Sequence, residues 1–129
     1  MENLGGYCID SEILIDYLRG IKDARAFLLR ESNRAPLYIS VVSIAEIYSG
    51  QDTKDPKKRE QIEKFLQSFT VIDVGQIIAV RAGKIRRDQG KPFADAIVAA
   101  SAVFYRLKLA TRNTKHFRSV KDLEVFRPY

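Results

Sequence analysis

Gly6-Tyr7-Cys8-Ile9-Asp10-Ser11-Glu12-Ile13-Leu14-Ile15-Asp16-Tyr17-Leu18-Arg19-Gly20 changes its period part-way along. Tyr7 to Ile9 is a short apolar run of strand character that ends on an acid, Asp10. From there Ile13, Leu14, Tyr17 and Leu18 recur at helical spacing, and Gly20 stops the pattern. A strand giving way at once to a helix is the building unit of a parallel sheet with crossover helices. In such sheets ligands lie beyond the carboxyl ends of the strands, which is where Asp10 falls.

The same alternation continues in the rest of the chain. Asp23 is placed to cap a helix carrying Ala24, Phe27 and Leu28, and Asn33 to Pro36 breaks it. Leu37 to Ser40 reads as a second strand. Val41, Ile44, Ala45 and Tyr48 then follow at helical spacing, with Gly50 as the stop. Asp55-Pro56 opens a further helix, since Asp caps and Pro suits the first helical position. Ile62, Phe65, Leu66 and Phe69 mark its core-facing stripe, with Phe27, Phe65, Phe69 and Phe104 expected mostly in the core. Thr70 to Val74 is a third strand. A helix between Gly75 and Gly90 turns Ile78, Ala82 and Ile85 inward. Pro92 opens a very apolar helix to Tyr105, Leu107 to Ala110 makes a fourth strand, and Leu123 to Phe126 a short fifth. The expected architecture is a three-layer α/β/α sandwich around a parallel sheet of four to five strands. The chain, 1–129, carries no repeat and no linker long enough to divide it, so it reads as one domain.

Composition narrows the function. With 46% hydrophobic residues the chain can build a core, which excludes a disordered or collagen-like protein. One cysteine, Cys8, excludes an intrachain disulfide scaffold and fits a reducing cytoplasm. Its apolar neighbours assign the thiol to packing. Met1 to Tyr7 contains Glu2 and no apolar core of a signal peptide. No run approaches a membrane span, and Phe93 to Tyr105 is too short and contains Asp95. The 22 Lys and Arg exceed the 16 Asp and Glu, a net charge of +6 that suits either a polyanionic partner or simple solubility.

Against that basic background, acids with apolar neighbours stand out: Asp10, Glu46 within Val41 to Ile47, and Asp95 within Pro92 to Ala100. A carboxylate in such surroundings must recover its lost hydration from donors, a cation or a metal. Each also has a local explanation. Asp10 suits a helix cap, Ser43 and Glu46 match a capping box, and Asp95 suits the positive end of a helix. Together they shift the balance: Asp10 and Asp95 fall at one sheet edge with Thr111-Arg112-Asn113, and if Glu46 turns inward from its helix, three carboxylates and an amide converge. Oxygen ligands without Cys select a hard ion, Mg²⁺ or Mn²⁺, and such a centre hydrolyses phosphodiesters.

These segments resemble the PIN-domain ribonucleases. Tyr7 to Gly20 looks like their opening motif, Ile39 to Gly50 the second, Ala94 to Ala102 the third and Leu109 to Phe117 the last. Length and single-domain form are similar to the VapC-type toxins of VapBC toxin–antitoxin pairs. The resemblance implies a cytoplasmic Mg²⁺- or Mn²⁺-dependent endoribonuclease, a homodimer, and a cognate VapB-type antitoxin that blocks its site. By position it makes Asp10, Glu46 and Asp95 the metal-binding acids, with Ser11 a hydroxyl beside the first. Glu12 stands where the family often has Asn. Asn113 falls where many members have Asp, and the family often has Asp at the place of His116, which is assigned here to the surface or to RNA.

Of three basic clusters, Arg81 to Lys91, Lys54 to Arg59 and Arg112 to Lys121, the last adjoins the acids. Arg112 and Lys115 are therefore the first candidates for phosphate contacts, with Ser11 and His116 as further RNA contacts. Asn113 is expected to position a water or ligand. The aromatics show no RNP-like spacing. Two rivals remain: a catalytically weakened PIN-fold binding protein, suggested by Asn113, and a receiver-type phosphoacceptor domain using Asp73.

Overall fold

The computed structural model describes residues 5–129, so the start of the Met1–Tyr7 stretch lies outside the described residues. In chain order the elements are β1 (Tyr7–Ile9), α1 (Ser11–Leu18), α2 (Lys22–Ser32), β2 (Tyr38–Ser40) and α3 (Val41–Tyr48). A 3-10 turn (Gln51–Lys54) precedes α4 (Pro56–Leu66), β3 (Thr70–Ile72), α5 (Gln76–Gln89) and α6 (Phe93–Tyr105). Then come β4 (Lys108–Ala110), α7 (Thr114–Phe117) and β5 (Val125–Phe126).

The strands order as β3-β2-β1-β4-β5 and every pairing is parallel. The pleat sends alternate residues to opposite faces. Cys8 and Leu109 join the core with Ala96, Val98 and Ala99 of α6, whereas Ile9 and Ala110 join Ile13, Phe27 and Ile62 on the other side. Helices thus cover both faces, giving the expected three-layer sandwich. Small side chains on α6, Ala96, Ala99, Ala100 and Ala102, are fully buried and allow close packing. The chain leaves β1 toward β2 and later returns on the other side of β1 with β4. The crevice between the carboxyl ends of β1 and β4 is therefore the topological switch point.

Local signals behave largely as expected. Asp55 accepts from the Lys57 amide at 3.3 Å with Pro56 opening α4. Gly90 ends α5 in the left-handed conformation at φ 67°, where the lack of a Cβ removes the strain. Cys8 is fully buried, and burial, aided by the Asp10 charge, pushes its thiol up to about 12. It is a packing group.

Four expectations change. Asp23 does not cap α2, which starts a residue earlier with Ile21 at the cap and no side-chain bond. The capping box at Ser43 fails because α3 already starts at Val41, capped by Ser40 Oγ accepting from Val42 at 3.1 Å. The buried face of α3 is Ser43 and Ile47, while Val41, Ala45 and Tyr48 are exposed. Packing of α3 between α1 and α6 sets that face, which apolar periodicity alone misplaces. Of the aromatics expected in the core, Phe27 is buried, whereas Phe65, Phe69 and Phe104 are half-buried.

Candidate functional site

Parallel pairing of Ile9 with Ala110 sets the next residues, Asp10 and Thr111, side by side at the switch point. Asp10 is buried and caps α1, its Oδ1 accepting from the Ser11 amide at 2.9 Å. Thr111, fully buried, donates its hydroxyl to Asp10 Oδ2 at 2.8 Å and accepts from the Asn113 amide at 3.0 Å. Both carboxylate oxygens are thus held, but only by neutral donors. Burial raises the Asp10 carboxyl from 3.8 to about 6, Thr111 and Ser11 oppose the rise, and the charges of Glu12 and Asp95 add to it.

Glu46, half-buried on α3, is raised as well. Burial is the main cause, and Asp95 and Glu12 contribute again, while the Ser11 hydroxyl opposes them. Ser11 therefore serves both acids from the first position of α1, and it is buried. Asp95 stands half-buried in the first turn of α6, where its Oδ2 lies 2.9 Å from His116 Nε2. His116 is positioned by its own backbone oxygen, which accepts from buried Lys91 Nζ. Two bonds between Gln89 and Ser119 tie the same loops.

Further along α1, Arg112 Nε lies 2.8 Å from buried Asp16 Oδ2, a close ion pair whose alignment is off for a hydrogen bond. Arg112 Nη2 is 3.8 Å from Glu12, and the Tyr129 hydroxyl donates to Asp16 Oδ2 at 2.8 Å. Burial and the Asp16 carboxylate push the Tyr129 phenol upward. Arg112, a phosphate candidate by sequence, is thus half-engaged by acids of α1. Lys115 on α7 and Asn113 at its N-terminal cap position are exposed, and the Asn113 side chain makes no cap bond.

Asp10, Glu46, Asp95 and Glu12 thus form one electrostatic neighbourhood, with Ser11, Thr111 and His116 between them. Sequence reasoning missed Thr111 as a partner of Asp10, and Lys91, Asp16 and Tyr129 as supports. The adjacency of β1 and β4 is the signal that finds Thr111. The donor set fits a hard divalent ion: oxygens dominate, and buried Asp10 and half-buried Glu46 both pay a like-charge cost that a cation would remove. Among the described residues no three His, Cys, Asp or Glu side chains are grouped closely enough to hold a metal ion as they stand. Asp73 is exposed after edge strand β3, which removes the receiver-type arrangement.

Comparison with known proteins agrees with this architecture. A family model described as the PIN domain matches residues 7–123. Ribonuclease VapC10 of Mycobacterium tuberculosis is 36% identical over 121 residues, covering 90% of this chain and 89% of its own. Ribonuclease VapC of Rickettsia bellii is 31% identical over 130 residues, covering 93% and 94%. A toxin–antitoxin complex from Klebsiella pneumoniae superposes with TM-score 0.80 at 31% identity, covering 95% of this chain and 98% of that one. VapBC2 of Rickettsia felis, solved on a promoter DNA fragment, shares the fold at TM-score 0.81 and 18% identity, covering 94% and 97%.

Proposed function

The chain belongs to the PIN-domain family, and from that premise we propose that it is an endoribonuclease, the toxin half of a VapBC-type toxin–antitoxin pair. The single observation that carries the reading is a buried carboxylate at the β1–β4 switch point, Asp10, held by the neutral donors Thr111 and the Ser11 amide. Burial raises the Asp10 and Glu46 carboxyls, and the charges of Glu12 and Asp95 add to both. An uncompensated acid in such a crevice marks a candidate functional site.

Asp10, Glu46 and Asp95 would hold Mg²⁺ or Mn²⁺. When bound, the ion supplies charge stabilisation at the phosphate and lowers the pKa of water. The chain's own groups do the rest. Thr111 and the Ser11 amide keep Asp10 in one rotamer, and His116 does the same for Asp95. Asn113 offers a neutral amide at the rim, suited to orienting a water or the RNA. Among the described residues Lys115 has no ion-pair partner and is available to a phosphate, whereas Arg112 reaches one by sharing its charge with Glu12 and Asp16. Ser11 acts here on the acids rather than on RNA, and the whole chain works as one catalytic domain.

A cognate VapB-type antitoxin and a second copy of the chain are the partners this reading assigns; exposed Val41 and Tyr48 on α3 offer apolar surface for them. No described helix is long and apolar enough to cross a membrane; the toxin reading itself assigns the chain to the cytoplasm. The test is Asp95→Asn, which should abolish RNA cleavage while circular dichroism and melting stay those of the unaltered chain. Full turnover in that variant overturns the proposal, and retained RNA or antitoxin binding without cleavage in the unaltered chain would establish the weakened-binder alternative instead.

A further inference from the structure

Phe93 opens α6 and leaves 61% of its surface in water. A phenylalanine so exposed contributes little to folding. One face is nevertheless covered: the Arg86 guanidinium lies over the ring, 4.1 Å from its centroid. Arg86 is itself anchored, donating from Nη1 to the Lys91 carbonyl at 2.9 Å. The pair is therefore a prepared two-layer stack with its other side open.

Its place in the fold gives the stack a use. α6 leads back to the start of β4, so its first turn lies at the carboxyl edge of the sheet with the acids. Phe93 precedes Asp95 by two residues, about 3 Å along the helix axis and roughly 200° around it, on nearly the opposite face. The ring thus shares the sheet edge with the acids but lies across α6 from them. The last turn of α5 adds Arg86 to the same edge, while Arg87 is engaged by Asp88 at 2.7 Å, and Lys115 is exposed next to His116 in the chain. A polyanion crossing this edge would meet Arg86 and Lys115.

We infer that Phe93, backed by Arg86, is a stacking platform for one unpaired RNA base that flanks the cleaved phosphodiester across the first turn of α6. This rests on the nuclease reading above and deepens it. Stacking accepts any base, so the platform selects unpaired over paired RNA rather than a sequence. Its occupant must be splayed from its neighbours, as in a loop.

The chain has no tryptophan, so Phe93→Trp places a single reporter on the platform. In an Asp95→Asn background, where cleavage is disabled, a single-stranded RNA hexamer should quench that fluorescence to saturation, and the matching duplex should not. Phe93→Ala in the same background should weaken hexamer binding about 5- to 100-fold, with Phe93→Tyr restoring most of it. The exposed ring makes these variants safe for folding. Hexamer binding that is indifferent to Phe93, with no quenching, overturns the platform and leaves the nuclease reading intact. A change of oligomeric mass in Phe93→Ala with unchanged RNA affinity also overturns it, because a second copy then covers the ring. Failure of the unaltered chain to bind RNA overturns both.

Discussion

Helix α1 carries two buried aspartates, Asp10 at its cap and Asp16 further along, and the chain treats them oppositely. Asp16 receives a guanidinium from Arg112 and a hydroxyl from Tyr129. Asp10 receives only a hydroxyl and an amide, and its charged neighbours are other acids. The first arrangement neutralises a buried charge and ties chain segments together. The second leaves the charge uncompensated, a state that costs stability until a cation arrives. Burial alone therefore does not distinguish a structural acid from a functional one; the sign of the neighbours does.

The largest expected effect breaks the comparison at Asp10. Asp10→Asn should lower RNA cleavage by at least about 100-fold, beyond the cost typical of a supporting residue. Metal-free stability should not fall, because the variant removes an uncompensated charge. The pH dependence has a definite direction. With the folded carboxyl near 6 and an ordinary value of 3.8, the unfolded chain releases this proton first as pH rises. Asp10 thus destabilises the metal-free fold increasingly between those values, on the order of 3 kcal/mol at most above pH 6. Thermal melts of the unaltered chain should contain that loss, Asp10→Asn should lack it, and Mn²⁺ at neutral pH should reverse it. Melts of the two proteins that run parallel from pH 4 to 7 would contradict this account.

A smaller effect is expected at His116, the one neighbour of these acids able to donate from a ring. His116→Ala should weaken Mn²⁺ binding by about 10- to 100-fold in calorimetry, and His116→Gln should recover part of it through its amide donor. Equal affinities in all three proteins would show that Asp95 needs no orienting partner.

Asp16 sharpens the comparison from the other side. Asp16→Asn keeps a polar partner for Tyr129 but leaves Arg112 without its closest counter-charge. Because Arg112 is partly in water, the cost is set at about 1–2 kcal/mol in denaturant unfolding, below that of a fully buried pair. Mn²⁺ affinity should change by less than about threefold, given that Asp16 is held by Arg112 and Tyr129 and not by the acidic cluster.

How these two acids differ could be read only in part from the residues themselves. Strand-to-helix junctions at Asp10 and Ser40 showed in the switch of period, and Asp55-Pro56 and Gly90 marked their helix ends by local chemistry. Asp10, Glu46 and Asp95 were recognisable because each interrupts apolar neighbours. Asp16 has similar neighbours, yet its partners are Arg112 and Tyr129, and the Tyr129 bond spans 113 residues. Thr111 reaches Asp10 across 101 residues. Such pairings depend on strand order, which periodicity does not specify. The α3 stripe failed for a related reason: an apolar helix packed between α1 and α6 shows its neighbours' positions, not its own pattern, in what it buries.

The smallest effect tests whether the two acids are independent. Tyr129→Phe removes one hydroxyl from Asp16 and keeps the ring, so Arg112 still compensates the charge. The loss should be about 1 kcal/mol, a fall of roughly 3–5 °C in melting temperature for a domain of this size. Cleavage should stay within about twofold, since Asp10 is held by Thr111 and Ser11 and not by this cluster. Arg112 links the two ends, touching both Asp16 and Glu12. If Tyr129→Phe costs activity well beyond twofold while stability falls as expected, the tether on Arg112 governs the Glu12 charge at the pocket. The two aspartates would then be halves of one electrostatic system rather than opposite solutions to burial.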